Sequence, residues 1–336
     1  MTMPQHKTNN MQGGSAMEHW KKMVAGLVAV AAAVLYVTHV HATAPAAKAQ
    51  APGFYRMALG DFEVTALNDG TLALNTKEIL TNITPRHVDE LLKRSFLADP
   101  VITSVNAYVI NTGSKLVMID TGAGVLFGPT LGTLMTNLKA SGYQPEQIDE
   151  IYITHMHGDH IGGLMAGDKV AFPNAVVRAD KRDAEYWLSQ ASLDAAPKEA
   201  KDDFKGAMAM LNPYIAAGKF KPFDGATELV PGVTAQPAYG HTRGHTIYLV
   251  ESKGQKMAVL GDLMHVASVQ FVKPEVTIQF DSDPRTAAVA RKKVFVDAAK
   301  SGFWLAAAHL SFPGIGHIRP DGTGYVFYPV NYVITK

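Results

Sequence analysis

A short segment, Thr154-His155-Met156-His157-Gly158-Asp159-His160, places four potential metal ligands within six positions. In an extended segment alternate side chains point the same way, so His155 and His157 can bind one cation together. The turn that follows directs Asp159 and His160 towards a second cation. Imidazole and carboxylate groups together are typical ligands of zinc and its first-row neighbours. The segment therefore predicts a metal site, and the alternative is a solvated histidine-rich turn.

Three later segments each place a further ligand where a predicted strand ends. They are His241 after Val233–Tyr239, Asp262 after Lys256–Leu260, and His309 after Trp304–Ala308. In open α/β folds ligands bind beyond the strand ends, so these side chains can converge on the first segment. The predicted set is His155, His157 and His241 on one ion, Asp159, His160 and His309 on the other, and Asp262 bridging the two.

Two further residues are interpreted as supports of the ligands. Asp120 follows a predicted hairpin of Asn106–Ile110 and Lys115–Ile119. It either caps the following turn or orients a metal-bound histidine, and both interpretations stay open. His245 is interpreted as a structural residue or as one that holds a ligand in place.

Strands that alternate with helices must position these residues. Helices are predicted over residues 130–141, 181–188, 201–217 and 286–300. A first hairpin is predicted from Phe62–Leu67 and Thr71–Leu74, with its turn at Asn68-Asp69-Gly70. This alternation indicates a layered α/β fold.

Composition excludes several classes of protein. The 336 residues carry a net charge of +1 and no basic block, which argues against a nucleic-acid partner. The absence of cysteine excludes disulfides, thiolate zinc sites and a cysteine nucleophile. Any metal site must therefore be built from His, Asp and Glu.

The N-terminal part has the order of a secretory signal. Lys21 and Lys22 precede the apolar run Met23–Val40, and small-residue cleavage sites follow at Val40-His41-Ala42 and Ala49-Gln50-Ala51. We predict a signal peptide and flexible leader over residues 1–51 and one domain over residues 52–336, located in the periplasm or secreted. An uncleaved membrane anchor is the alternative. After cleavage we expect no stable membrane partner, and a homodimer remains open.

The ligand segments, together with Gly-His-Thr-Arg-Gly-His-Thr at 240–246, resemble the metallo-β-lactamase superfamily. This resemblance implies a four-layer αβ/βα sandwich with the metal site at the edge of two sheets, and its metal residues map onto the seven positions above. Stretches at 52–57, 126–132 and 309–318 are similar to methyl parathion hydrolase and its lactonase relatives. The similarity runs from about residue 52 to about residue 333.

The closer resemblance also implies a substrate pocket. Its aromatic entrance corresponds to Phe127 and Trp187, with Phe204 as a third member. His265 stands where the related acyl-homoserine lactonases have a tyrosine that donates to the substrate carbonyl, and where methyl parathion hydrolase has an aliphatic residue. Phe280 replaces a smaller aliphatic side chain. Both substitutions indicate a narrower, more polar pocket, which favours an ester or lactone over a dimethyl phosphotriester.

The resemblance implies a hydrolase in which two divalent ions activate water and polarise the substrate. Zinc is the default, with Mn, Co or Fe as alternatives. Asp262 would hold the ions and accept a proton, and His265 would act as a donor. We predict a lactonase or aryl esterase with promiscuous organophosphate hydrolysis, acting on a small ester, lactone or phosphotriester.

Several alternatives remain open. The first is a phosphotriesterase as the main activity, and the second is a periplasmic metal-binding module without catalysis. Thioester hydrolysis of the glyoxalase II type shares all the ligands, whereas an iron oxygenase of the persulfide type would use one metal. A β-lactam hydrolase is disfavoured because the zinc enzymes of that type lack an aspartate at the Asp262 position. A nuclease is disfavoured by the near-neutral charge.

Overall fold

The computed structural model describes residues 1–2, 15–37 and 44–334. The chain divides into two compact units, Met1–Gln50 and Ala51–Lys336. In the first unit Ser15–Val37 form a helix, and no helix in the described ranges is long and apolar enough to cross a bilayer. Val40-His41-Ala42 lies outside the described residues. The signal peptide, its cleavage and the domain division stay predictions.

Helices and strands alternate along the chain. The described helices are α1 (Ser15–Val37), α2 (Thr76–Ile79), α3 (Pro85–Arg94), α4 (Leu134–Ala140), α5 (Gly158–Ile161), α6 (Lys181–Trp187), α7 (Gln190–Ala195), α8 (Lys201–Ala216), α9 (Ala267–Gln270) and α10 (Pro284–Ser301). The described strands are β1 (Phe54–Leu59), β2 (Phe62–Leu74), β3 (Leu80–Thr81), β4 (Val101–Asn111), β5 (Leu116–Ile119), β6 (Glu150–Tyr152), β7 (Met165–Ala166), β8 (Lys169–Val170), β9 (Val176–Arg178), β10 (Thr227–Val230), β11 (Val233–Pro237), β12 (Thr246–Ser252), β13 (Gln255–Val259), β14 (Thr277–Ile278), β15 (Trp304–Ala306), β16 (Ile315–Asp321) and β17 (Gly324–Pro329).

Two large mixed sheets form the centre of the second unit. One has the strand order β1-β2-β4-β5-β6-β9, and the other has the order β10-β11-β12-β13-β15-β16-β17. The pairs β5–β6, β6–β9 and β13–β15 are parallel. The remaining pairs in the two sheets are antiparallel, including the predicted hairpin of β4 and β5. The first sheet therefore passes from antiparallel strands into parallel ones, whereas the second has one parallel pair, β13–β15, between antiparallel strands.

Apolar clusters fill the space between the sheets and on their outer faces. Tyr108 and Val117 of the first sheet pack with Val233 and Val250 of the second. Helix α8 covers the outer face of the first sheet, where its Phe204 and Leu211 are buried. Helix α10 covers the second sheet with Phe295 and Ala298. The order helix, sheet, sheet, helix confirms the predicted four-layer αβ/βα sandwich.

The first predicted hairpin is wrong. Phe62–Leu74 form one continuous strand, β2, which pairs with β4 and has a register shift between Asn68 and Gly70. Asp69 in this irregularity is fully buried. Its carboxylate accepts hydrogen bonds of 2.9–3.1 Å from the backbone N–H groups of Ala123, Gly132 and Leu134. The Asn-Asp-Gly sequence therefore anchors a distant loop instead of reversing the chain.

Candidate metal centre

The predicted ligands meet beyond the carboxyl ends of strands from both sheets. His155, His157, Asp159 and His160 follow β6 of the first sheet, while His241, Asp262 and His309 follow β11, β13 and β15 of the second. Glycines fit the backbone here: Gly261, before Asp262, has φ +51°, and a Cβ there would lie 2.7 Å from the Thr154 side chain. The fold thus assembles the site from both halves of the sandwich.

The seven side chains form two groups that share one carboxylate. His155, His157, His241 and Asp262 make one group, and Asp159, His160, Asp262 and His309 make the other, with the ligand atoms of each group within 4.8 Å of one another. Asp262 Oδ2 lies 3.5 and 3.4 Å from the Nε2 atoms of His155 and His241. Asp262 Oδ1 lies 3.0 and 3.1 Å from those of His160 and His309. One carboxylate oxygen therefore faces each group.

The tautomers of four histidines suit metal binding. Their Nδ1–H groups donate to protein acceptors, namely Thr154 Oγ1 for His155, Asp120 Oδ2 for His160, Asp281 Oδ1 for His241 and the Ser104 carbonyl for His309. These bonds occupy each Nδ1, so each Nε2, which faces Asp262, is available to bind a cation once it is deprotonated. The Nε2 atoms of His155 and His160, and Asp262 Oδ1, are buried and have no hydrogen-bond partner among the described residues. Buried unpaired acceptors are costly, so the donor set fits two divalent cations.

Asp120 and His245 hold ligands in place. Besides His160, Asp120 accepts hydrogen bonds from the backbone N–H and the hydroxyl of Thr154, each 2.8 Å long. These bonds join Asp120 to Thr154 and His160 and not to the turn that follows Asp120, so the geometry supports the interpretation that Asp120 orients a ligand. His245 donates from Nδ1 to the Ala238 carbonyl, and its Nε2 accepts the N–H of Asp262 at 3.0 Å. His245 thereby fixes the backbone of the shared ligand.

Sequence reasoning missed Asp281 and Asp183. Asp183, in the first turn of α6, is fully buried. Its carboxylate accepts from Met156 N at 3.2 Å, Thr242 Oγ1 at 2.8 Å and Gly244 N at 2.6 Å. It joins the His155–His157 segment to the His241 loop. Both acids resemble ordinary residues at a helix start. Asp180 already caps α6 and Asp283 already caps α10, so the only sequence signal is a second acid close to each cap.

Charges in the centre shift the pKa values of its groups strongly. Burial disfavours protonation of His241 and His309, but hydrogen bonds and attraction from nearby aspartates outweigh it and raise their pKa values to about 9 and about 10. Burial raises the pKa of Asp262, yet the surrounding histidines hold it well below its usual range. Burial lowers the pKa of His157 to about 3. Without cations, protonated histidines would therefore balance the carboxylates.

His265 touches the shared carboxylate directly. Its Nε2–H donates to Asp262 Oδ2 at 3.0 Å, and its ring stacks on His309 with centroids 5.2 Å apart. Burial, only partly opposed by Asp262, lowers the pKa of His265, so the ring is neutral near pH 7 and has a single N–H. Donation to a substrate would require this hydrogen bond to break. The geometry favours a part in orienting Asp262.

The predicted pocket residues lie at different depths. Trp187 lines a cavity of about 130 Å³ together with His157, His241 and Phe280. Phe280 is exposed, and its ring centroid lies 6.2 Å from that of His265. Phe204 is buried behind Trp187, with ring centroids 4.7 Å apart, so it supports the indole from the core. Phe127 is 45% exposed and packs against Gly158. Substrate contact by these residues stays a prediction.

Comparison with known proteins gives consistent matches. Residues 101–300 match the model of the metallo-beta-lactamase superfamily. A crystal structure of the hydrolase AbOPH in the beta lactamase superfamily is 37% identical with a TM-score of 0.81, covering 85% of this chain and 100% of that one. AidC, a dizinc quorum-quenching lactonase solved with the product N-hexnoyl-L-homoserine, is 27% identical with a TM-score of 0.78, covering 84% and 99%.

The curated relatives match over a shorter part. An N-acyl homoserine lactonase of Bacillus cereus is 27% identical over 163 residues, which are 48% of this chain and 57% of that protein. The uncharacterized protein YobT of Bacillus subtilis (strain 168) is 26% identical over 161 residues, 47% of this chain and 62% of that protein. The chain thus spans less than two thirds of the length of these relatives.

The family match and the structural matches agree with the architecture described above. The family match covers more than half of the chain, and AbOPH aligns along its whole length. Both confirm the predicted fold and the predicted superfamily, and the similar proteins include a hydrolase and lactonases. The chain therefore belongs to the metallo-beta-lactamase superfamily.

Proposed function

We propose that this protein hydrolyses lactones or aryl esters with the help of two divalent metal ions, and that phosphotriester hydrolysis is a side activity. The observation that carries the proposal is Asp262, whose two oxygens face two separate groups of ligands at 3.0–3.5 Å. Zinc is the expected metal, with Mn, Co or Fe as alternatives. The lactonases among the similar proteins support a lactone as the substrate.

The residues of the chain divide the work of hydrolysis. When bound, two divalent ions would supply activation of water and polarisation of the substrate carbonyl. Asp262 is positioned to accept the proton of the attacking water, because its carboxylate lies between both groups. His265 orients that carboxylate through its 3.0 Å hydrogen bond. Trp187 and Phe280 line the cavity beside His157 and His241 and provide apolar surface for the substrate.

A phosphotriesterase as the main activity is the second candidate, as the predicted closeness to methyl parathion hydrolase implies. The same nucleophile would serve, but the pocket would need room for two ester groups on phosphorus. Beside His157 and His241, Phe280 lines the cavity wall, and His265 hydrogen-bonds to Asp262. This bulky ring and polar side chain are the features that favour the lactone. A metal-binding module without catalysis, a homodimer and a location outside the cytoplasm stay predictions.

Parallel rate measurements test the proposal. Protein of measured metal content is assayed with an aryl lactone, an N-acyl homoserine lactone, methyl parathion and a β-lactam. We expect a lactone to be hydrolysed at least a hundredfold faster than methyl parathion, with the rate lost in a His309→Ala variant and kept in Asp168→Ala, an exposed control. Faster turnover of methyl parathion would make the protein a phosphotriesterase. Inertness to all four compounds at two metals per chain would support the module.

His265→Ala separates the two parts considered for His265. If His265 orients Asp262, the variant should lose metal affinity and turnover together. If it donates to the substrate, turnover should fall while metal content stays at two per chain. An unchanged rate would exclude both parts.

A further inference from the structure

A groove continues outward from the candidate metal centre, and two arginines lie in its wall. The groove has a volume of about 600 Å³, and its wall includes Arg182, Tyr186, Tyr239, Arg243 and Asp283. We call it the arginine groove. Arg243 and Tyr186 also line the 130 Å³ cavity that contains His157 and His241. A substrate whose reacting group lies at the metal centre can therefore extend along Arg243 into the groove.

Each arginine lies over a tyrosine ring. The guanidinium carbon of Arg243 lies 3.9 Å from the ring centroid of Tyr186, and that of Arg182 lies 4.2 Å from the ring centroid of Tyr239. Stacking on one face fixes the plane of a guanidinium group and leaves its N–H edges free for bidentate hydrogen bonds. The second ring is itself anchored, because the Tyr239 hydroxyl donates to Asp180 at 3.1 Å.

Neither arginine is neutralised within the described part of the chain. Arg182 and Arg243 form no ion pair with a described carboxylate, unlike the arginines Arg56, Arg86 and Arg178. Two acids face the same region. Asp283 is occupied by the start of α10, where it accepts from the backbone N–H and the hydroxyl of Thr286 at 3.1 and 2.6 Å. Glu185 is paired with Lys181 at 3.6 Å.

We infer that the arginine groove binds a carboxylate at the far end of the substrate, so that the preferred substrates are lactones or esters carrying a distal anionic group. This inference rests on the proposed hydrolase function, and it concerns specificity. A guanidinium group with free N–H edges can bind a carboxylate through charge-assisted, bidentate hydrogen bonds. A purely apolar acyl chain would offer these two exposed guanidinium groups no charge-assisted hydrogen bond. Arg243 and Arg182 are thus specificity-determining residues.

The test uses two lactones that differ in one group. Both carry the same side chain, which ends in a carboxylate in one and in the isosteric, neutral carboxamide in the other, and a series of chain lengths spans the groove. We expect the metal-loaded wild type to prefer the carboxylate by about tenfold or more in kcat/KM at the optimal length, the scale of one charge-assisted hydrogen bond. Arg243→Ala should reduce this preference about tenfold, and Arg243→Lys should retain part of it.

Arg319→Ala is the matched control, because Arg319 also lies over a tyrosine, Tyr328, but on strand β16 and outside the groove. It should keep the wild-type preference. Hydrolysis of both lactones with a preference unchanged in Arg243→Ala would overturn the inference and leave the proposed function standing. Hydrolysis of neither would overturn the proposed function.

Binding of the corresponding lactams, which resist hydrolysis, gives a readout without turnover. Titration calorimetry should show a dissociation constant for the carboxylate lactam about tenfold lower than for the carboxamide. The difference should disappear in the Arg182→Ala, Arg243→Ala double variant. Equal affinities in the wild type would overturn the inference whether or not the lactones are hydrolysed.

Discussion

Asp183 joins two segments that carry ligands, and its replacement by alanine should weaken both the fold and the metal centre. The change leaves three donors without their acceptor: Met156 N, Thr242 Oγ1 and Gly244 N. Each buried unsatisfied donor costs about 1–3 kcal/mol, so the loss is roughly 6 kcal/mol. Burial raises the pKa of Asp183 to about 6 from 3.8. Removing this charge at pH 8 returns about 3 kcal/mol. The net loss expected is about 3 kcal/mol.

The same pKa gives the effect a pH dependence. Because the folded-state pKa of Asp183 is raised, its protonation stabilises the wild type fully below pH 3.8, and this stability is lost as pH rises through about 6. The Asp183→Ala variant has no carboxyl group at this position, so it lacks this stabilisation at low pH. The loss of unfolding free energy should therefore be about 1.4 kcal/mol larger at pH 5 than at pH 8.

Denaturant unfolding of wild type, Asp183→Ala and the exposed control Asp168→Ala at both pH values measures these differences. Metal titration of the folded proteins should show at least tenfold weaker binding in Asp183→Ala, since the variant loosens the segments that hold His157 and His241. The reasoning is refuted if Asp183→Ala loses less than about 1 kcal/mol and binds metal as the wild type does.

Three further predictions concern the ligands and their supports. Asp281→Ala removes the acceptor of the His241 Nδ1–H, so we expect metal affinity to fall about 10–100-fold with little change of fold by circular dichroism; unchanged affinity would contradict this. Gly261→Ala places a Cβ against Thr154 at φ +51°, so it should lower the free energy of unfolding by about 3 kcal/mol. Gly254→Ala, at φ +77° with open space around the Cβ, should lower it by only the backbone strain of about 1 kcal/mol. Equal losses in thermal unfolding would count against the close contact. Binding two zinc ions to metal-free protein at pH 7.5 should release about three protons, measured by calorimetry in buffers of different ionisation enthalpy. Those protons come from histidines whose pKa values the aspartates raise, namely His160, His241 and His309. Metal affinity should thus fall as pH falls. In the metal-free protein, the ion pairs of these histidines contribute their full free energy of unfolding below pH 6.5, and this contribution is lost as pH rises through about 9–10. Release of no protons would refute this charge balance.

The seven side chains that the structure brings together could be selected from the sequence because they obey local rules. His155 and His157 alternate along an extended segment, and Asp262 and His309 stand directly where apolar runs end. Period and strand ends are visible in a linear sequence. The layered fold follows from the same alternation of strands and helices.

The residues that support the ligands could not be found this way. Asp183 accepts hydrogen bonds from residues 27 to 61 positions away in the sequence, and Asp281 accepts one from a residue 40 positions away. In the sequence both resemble acids at the start of a helix. Asp69 is the reverse case, because Asn68-Asp69-Gly70 has the composition of a turn but lies inside β2. Its three acceptor contacts to the 123–134 loop override the local preference. At Asp69, Asp183 and Asp281, hydrogen bonds to distant parts of the chain determine the role of the side chain.

Each ligand group draws two side chains from the first sheet and two from the second. The groups thus connect chain segments that are 84 or more positions apart, such as His157 with His241 and His160 with His309. In kinetic terms, two bound ions would act as cross-links that close very long loops, and closure of such loops is slow and entropically costly. We expect chelation to accelerate unfolding of the sandwich and to open first the edge where the two sheets meet the centre. The same seven side chains would then bind the catalytic ions and hold the two sheets together at this edge.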